Sequence, residues 1–289
     1  MNGFHPALRG MLVWIGAVAV AAALAALPAQ AQVDTAKAES LVKRSGLWDA
    51  MAGFPAQVRA GMAQAVQQSG RPPSAEATER IGRVIDEAFA AGPLRASATA
   101  SLAAHLPPAH VPAIDAWLDS AVGSRIARLE VASAQRPPEA DPQAAMRRSI
   151  ALYQGASAAR KALIDSYVRH TRAAELAHEA MVVTALAVAR GVGAANPELP
   201  RPSLSEFEGF LRGQKAQALP AMAMVMTANA ADAYEPLTDA ELGSYVEFLQ
   251  GDAGQAFNVV ASKALIDALK TAGETMGRNL RGATDAARS

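Results

Sequence analysis

Four histidines follow position 31, at His105, His110, His170 and His178, and one of them keeps company that could hold a metal. Glu175 and His178 stand three apart in a run of helical character, the Glu-x-x-His spacing that sets a carboxylate and an imidazole on one helix face in di-iron bundles. Such a centre needs a second pair and further glutamates on facing helices, and the chain has no second Glu-x-x-His. His170 lies eight residues from His178, roughly 12 Å along a straight helix, so the two cannot share one ion. Glu175 and His178 are therefore expected on a polar helix face. A metal-dependent enzyme or metal-binding protein with its site near them is the alternative.

Other chemical signals are weaker still. Met222, Met224 and Met226 carry thioethers that suit Cu(I), but steps of two rotate about 200° around a helix, so neighbours face opposite sides. Core filling is the expectation there. Gly191-Val-Gly193-Ala-Ala-Asn196 opens like a dinucleotide loop yet follows a helix and ends in asparagine, which reads as a helix stop. The chain contains no Gly-x-Ser-x-Gly elbow, no His-Glu-x-x-His and no phosphate loop. Cysteine is absent, which excludes disulfides, thiolate catalysis, thiolate metal sites and the acylated cysteine of a lipoprotein. No catalytic, cofactor or metal residue is assigned, and the balance leans away from an enzyme.

The elements that would position any site begin after a leader. Arg9 is followed by an uncharged run from Met11 to Leu27 and then Pro28-Ala29-Gln30-Ala31. A basic start, an apolar middle and small residues before the cut describe a secretory signal peptide over residues 1–31, cleaved after Ala31. The apolar run would span roughly 26 Å, short of a ~30 Å hydrocarbon core, so no stable membrane span is expected after cleavage. A leader of this kind without a lipidation site points to the periplasm. Removing 31 of 289 residues leaves 258, and the mature chain then holds 26 basic against 27 acidic side chains. That near-neutral balance offers no steering toward nucleic acid. With 51% hydrophobic, 19% charged and only 5% aromatic residues, the composition is globular, and its small apolar side chains favour helix.

Periodicity along the mature chain is helical throughout. Ile81, Val84, Ile85 and Phe89 line one face, as do Val58, Met62 and Val66. Ser74 caps the first of these, and Gly92-Pro93 reads as its stop. Arg136 to Pro142 holds three prolines in seven positions and reads as a linker. Ser157 to Arg190 reads as one long helix ended by Gly191 and Gly193, Asn196 to Pro202 as a loop, and Pro220 as a helix start or kink. Gly282 to Ser289 reads as a frayed tail.

A gap-free internal match at an offset of 131 pairs Val111 with Leu242, Ile114 with Tyr245, Trp117 with Phe248, Leu118 with Leu249, Gly123 with Gly254 and Ile126 with Phe257. Each copy starts with a helix signal, Pro107-Pro108 in the first and Thr238 with Glu241 in the second. A duplication would place helical repeat 1 at 32–135, the linker at 136–142, helical repeat 2 at 143–281 and the tail at 282–289. Trp117, Gly123, Phe248 and Gly254 form the structural repeat turn. Both glycines are read as fold residues, admitting a left-handed backbone or a close helix approach. An anion site at the following helix N-terminus is the alternative, which Asp252 disfavours in the second copy.

These residues resemble an exported bacterial family known as domain of unknown function family 2059, whose signature is an aromatic-rich helix, a small residue, often a proline, then glycine and a basic residue. Trp117 to Arg125 keeps Ser120, Gly123 and Arg125 but has Ala121 where proline is common. Tyr245 to Gly254 keeps only the aromatic and the glycine, so the two copies are degenerate. The resemblance implies an all-helical exported protein in two copies and carries no activity with it. The overall expectation is an all-α fold, a helical bundle of two related multi-helix repeats behind a signal peptide. It would work as a non-enzymatic protein through a protein or envelope partner. A small apolar ligand in a groove between the repeats, lined by residues such as Trp48, Trp117, Phe207 or Phe248, is a further reading. Oligomeric state is left open.

Overall fold

The computed structural model describes residues 32–69, 74–136, 139, 141–195 and 203–285. The expected leader at 1–31, the whole of the expected loop at 196–202, part of the expected linker and the last four residues lie outside the described set. Among the described residues the fold is all-helical, without strands.

Asp34 caps α1 (Thr35–Arg44) by accepting amides of its first turn. A turn at Gly46 leads into α2 (Leu47–Ala50), a 3-10 turn and α3 (Phe54–Ser69). Ser74 caps α4 (Ala75–Ala88) as its sequence position indicates. Gly92-Pro93 does not end that helix: α4 closes at Phe89, and the pair lies in the first turn of α5 (Ala91–His105). Proline is harmless there, because first-turn amides have no partner within the helix. Next come α6 (Val111–Asp119), α7 (Ala121–Ala134) and, after Asp141 as cap, α8 (Pro142–Gly155).

The helix expected over Ser157 to Arg190 is broken. It becomes α9 (Ala158–Thr171) and α10 (Ala173–Ala195), divided by Arg172 in the left-handed region at φ 52°. The Asn258 amide, from the last helix, donates to the carbonyls of His170 and Thr171 at 3.4 Å each, satisfying two groups that the break leaves open. α10 then runs through Gly191 and Gly193 to Ala195, so neither glycine ends it. α11 (Leu204–Gly213) and α12 (Lys215–Ala233) follow, with Pro220 inside α12. α13 (Asp239–Gln250) carries a complete capping box, Thr238 accepting from the Glu241 amide and Glu241 from the Thr238 amide. The last helix, α14 (Asp252–Asp285), is 34 residues long and enters the segment expected to fray.

α14 is the axis of the fold. It packs along α10 on one side and along α5 and α4 on another. On the second of these faces Ala264, Ala268, Ala272 and Met276 recur at steps of four and join Val84, Ile85, Ala88, Phe89, Leu94 and Ala98 in one buried cluster. Small side chains at that spacing let helix backbones approach closely. A second cluster gathers Leu41, Val42, Leu102, Ile114, Leu118 and Val260, and a third gathers Ile126, Ile164, Tyr234, Leu237 and Leu242. No helix among the described residues is long and apolar enough to cross a membrane.

Candidate functional site

Two helix junctions share one geometry. Between α6 and α7 the chain opens at Ser120 (φ −66°, ψ 152°), and between α13 and α14 it opens at Gly251 (φ −74°, ψ 156°). In each, the amide of the opened residue donates to the aromatic carbonyl three positions back, Ser120 to Trp117 at 3.0 Å and Gly251 to Phe248 at 3.1 Å. Gly123 and Gly254 then lie in the first turn of the following helix with their Cα atoms against those same carbonyls. A Cβ at Gly123 would overlap the Trp117 oxygen and lie 3.0 Å from its carbonyl carbon; one at Gly254 would overlap the Phe248 oxygen and lie 2.6 Å from the carbon. Neither glycine has a positive φ. Close approach is what they serve. At the first junction the Ser120 hydroxyl accepts from the Gly123 amide at 2.9 Å, occupying the place an anion would take.

The aromatic residues of the two junctions meet. Trp117 stacks on Phe248 with ring centres 4.7 Å apart and planes 7° from parallel, and on Tyr245 at 5.7 Å. Behind this stack lies a cavity of about 300 Å³, walled by Trp117, Tyr167, Leu176, Tyr245, Phe248 and Phe257 among others. Elements from both halves of the chain supply it, the Ser45-Gly46 turn, α2, α6 and α7 on one side and α9, α10, α13 and α14 on the other.

One carboxyl reaches this apolar space. Glu130, half-buried on α7, lines the cavity. Its Oε1 accepts from the Tyr234 hydroxyl at 2.6 Å and the Tyr245 hydroxyl at 2.9 Å. Burial raises the Glu130 pKa above the ordinary carboxylate value, and the two tyrosine hydrogen bonds pull it back only in part. Burial, reinforced by the negative charge of Glu130, pushes Tyr167, Tyr234 and Tyr245 upward, so all three remain neutral. Tyr167 meets Tyr234 edge-on at 5.0 Å, which holds the phenol cluster in register.

The remaining sequence candidates do not converge. His178 is 1% exposed, in a buried stripe with Ala174, Val182 and Leu186, and its Nε2 has no hydrogen-bond partner among the described residues. It is a core residue, not part of a polar face. Glu175 instead borders a separate cleft with Asp165, Arg169, Pro220 and Thr227, which His178 does not line. Among the described residues no group of three histidine or acidic side chains is placed to hold a metal ion. Met224 is 58% exposed whereas Met222 and Met226 are half-buried, so the three thioethers diverge as helical rotation requires. Of the four aromatic residues suggested for an inter-repeat groove, Trp117 and Phe248 line the cavity. Trp48 does not; it lies between the Lys43 ammonium and the Arg95 guanidinium, each 4.7 Å from its ring centre. Phe207, on α11, is also outside the lining.

Fold and cavity together give an all-α protein with a half-open, aromatic-walled cavity where two like junctions meet. Comparison with models of known families, with curated proteins and with solved structures finds no match for this chain.

Proposed function

We propose that this is an exported, non-enzymatic helical protein built as a tandem of two related units, 32–135 and 143–281, which binds a small and mostly apolar ligand where the units meet. The observation that carries the reading is the half-open cavity of about 300 Å³ bordered by the Trp117 and Phe248 junctions. A volume at the lower end of known ligand sites, aromatic walls and few polar groups suit capture of a small molecule. The tandem reading is supported by the matched break, hydrogen bond and glycine contact at positions 131 apart. Likeness to family 2059 rests on the same two motifs, and periplasmic delivery rests on the leader.

Trp14, Trp48 and Trp117 are the three tryptophans, so Trp48→Phe in the processed chain leaves Trp117 as the only reporter. Titration with 1-octanol should change Trp117 fluorescence saturably, and Ala261→Phe, which fills the space without adding a second indole, should abolish the response. A linear, non-saturating response would remove the ligand-binding reading. Intact-mass measurement of the purified chain tests export, the expected N-terminus being Gln32.

A second reading, docking of a protein or envelope partner, is favoured by Phe210 at 60% and Met224 at 58% exposure, with Leu204 and Met181 also open. Charged substitutions at Phe210 and Met224 would abolish co-purification of such a partner and leave 1-octanol binding intact.

A further inference from the structure

The ligand's chemical class can be read from how the cavity spends its hydrogen bonds. Both tyrosine donors go to Oε1 of Glu130, and Oε2 has no hydrogen-bond donor among the described residues. Three other side chains of the wall are committed to backbone. Thr171 donates to the carbonyls of Tyr167 and Val168, Ser45 to that of Val42, and the Asn258 amide to those of His170 and Thr171. Among the described residues no lysine, arginine or histidine lines the cavity. The lining therefore offers one carboxyl, five aromatic rings and, among the described residues, no positive charge to answer it.

Resting on the ligand-binding reading above, we propose that this cavity selects an organic cation, an apolar body ending in a protonated amine that donates to Oε2 of Glu130 beside the rings of Trp117, Tyr167 and Tyr245. An ammonium gains an ion pair in a weakly screened space and the attraction of the ring faces. A neutral alcohol gains hydrogen bonds but no ion pair. A carboxylate ligand meets a second carboxyl without any cation, which is the costly arrangement. Burial raises the Glu130 pKa in the empty cavity; an arriving ammonium favours the ionised form and lowers it again.

The test is calorimetric titration of the full chain at neutral pH with octylammonium chloride, 1-octanol and sodium octanoate, three probes with one tail and three head groups. Octylammonium should bind about tenfold tighter than 1-octanol, with octanoate weakest. Glu130→Gln keeps an acceptor for Tyr234 and Tyr245, and it should erase the preference for octylammonium over 1-octanol. If 1-octanol or octanoate binds the unmodified chain as tightly as octylammonium, the cation proposal is overturned and the apolar-cavity reading stands. If none of the three binds, both fall. The head-group order in the unmodified chain decides the matter even should the variant fail to fold.

Discussion

Alanine at Gly123 or Gly254 separates two physical effects of opposite sign. Helix propensity alone makes glycine to alanine inside a helix favourable by about 1 kcal/mol. At these positions the new methyl would overlap a backbone carbonyl of the preceding helix, with the carbonyl carbon 3.0 Å away at Gly123 and 2.6 Å at Gly254. A backbone carbonyl cannot swing aside as a side chain can. It is also fixed by the Ser120 or Gly251 amide that donates to it. Relief requires the two helices to separate, and overpacking of that kind costs about 1–3 kcal/mol, sometimes more. Set against the propensity gain, this leaves a net loss of up to about 2 kcal/mol, a Tm lowered by as much as about 4–8 °C in a chain of this size. Gly209→Ala on α11, where nothing lies within 4 Å of the added methyl, should raise Tm slightly. Thermal denaturation of the three variants beside the unmodified chain makes the comparison. If Gly123→Ala or Gly254→Ala melts at or above the unmodified chain, as Gly209→Ala should, close approach is not what those glycines provide.

Arg172 is exposed and left-handed, so Arg172→Gly should stabilise by about 1 kcal/mol, read as a higher urea midpoint, and an unchanged or lower midpoint would mean the side chain has a role beyond ending α9. Glu130 supplies a pH signature. With its folded pKa above the unfolded value of 4.5, the folded state holds a proton that the unfolded chain has already released. The resulting stabilisation is complete below that unfolded value and is lost as pH rises through the folded one. Urea midpoints measured between about pH 4 and 8 should therefore fall with rising pH relative to those of Glu130→Gln; a difference that is flat or increases with pH would contradict the buried-carboxyl assignment.

What could be read from the residues was local. Ser74, Thr238 with Glu241, and the Ile81 to Phe89 stripe are legible because caps and helix faces are decided within a few positions. Gly92-Pro93 and Gly191 with Gly193 mislead for one reason: these residue types mark helix ends statistically, yet a first turn tolerates proline and a packed helix tolerates glycine. The break at Arg172 carries no glycine or proline signal, and its support arrives from Asn258, on the far side of α13. Trp117 and Phe248 were visible as a pair through the offset of 131. The polar half of the cavity was not. Glu130 meets Tyr234 and Tyr245 across 104 and 115 residues, and no spacing rule spans such distances. One hint was present: Glu130 follows Ile126 by four, placing a carboxyl on the core face of α7.

The position of α14 governs the order in which the molecule can be assembled. Val84, Ile85, Phe89, Leu94 and Ala98, all in the first half of the chain, close against Ala264, Ala268, Ala272 and Met276, which belong to its final helix. A polypeptide delivered from its N-terminus holds α4 and α5 with an apolar side uncovered until nearly the whole length has emerged. Contacts this distant in sequence make collapse slow and leave the nascent chain open to self-association. Loss of α14 by a premature stop would thus remove a wall from the N-terminal half as well as from the C-terminal one.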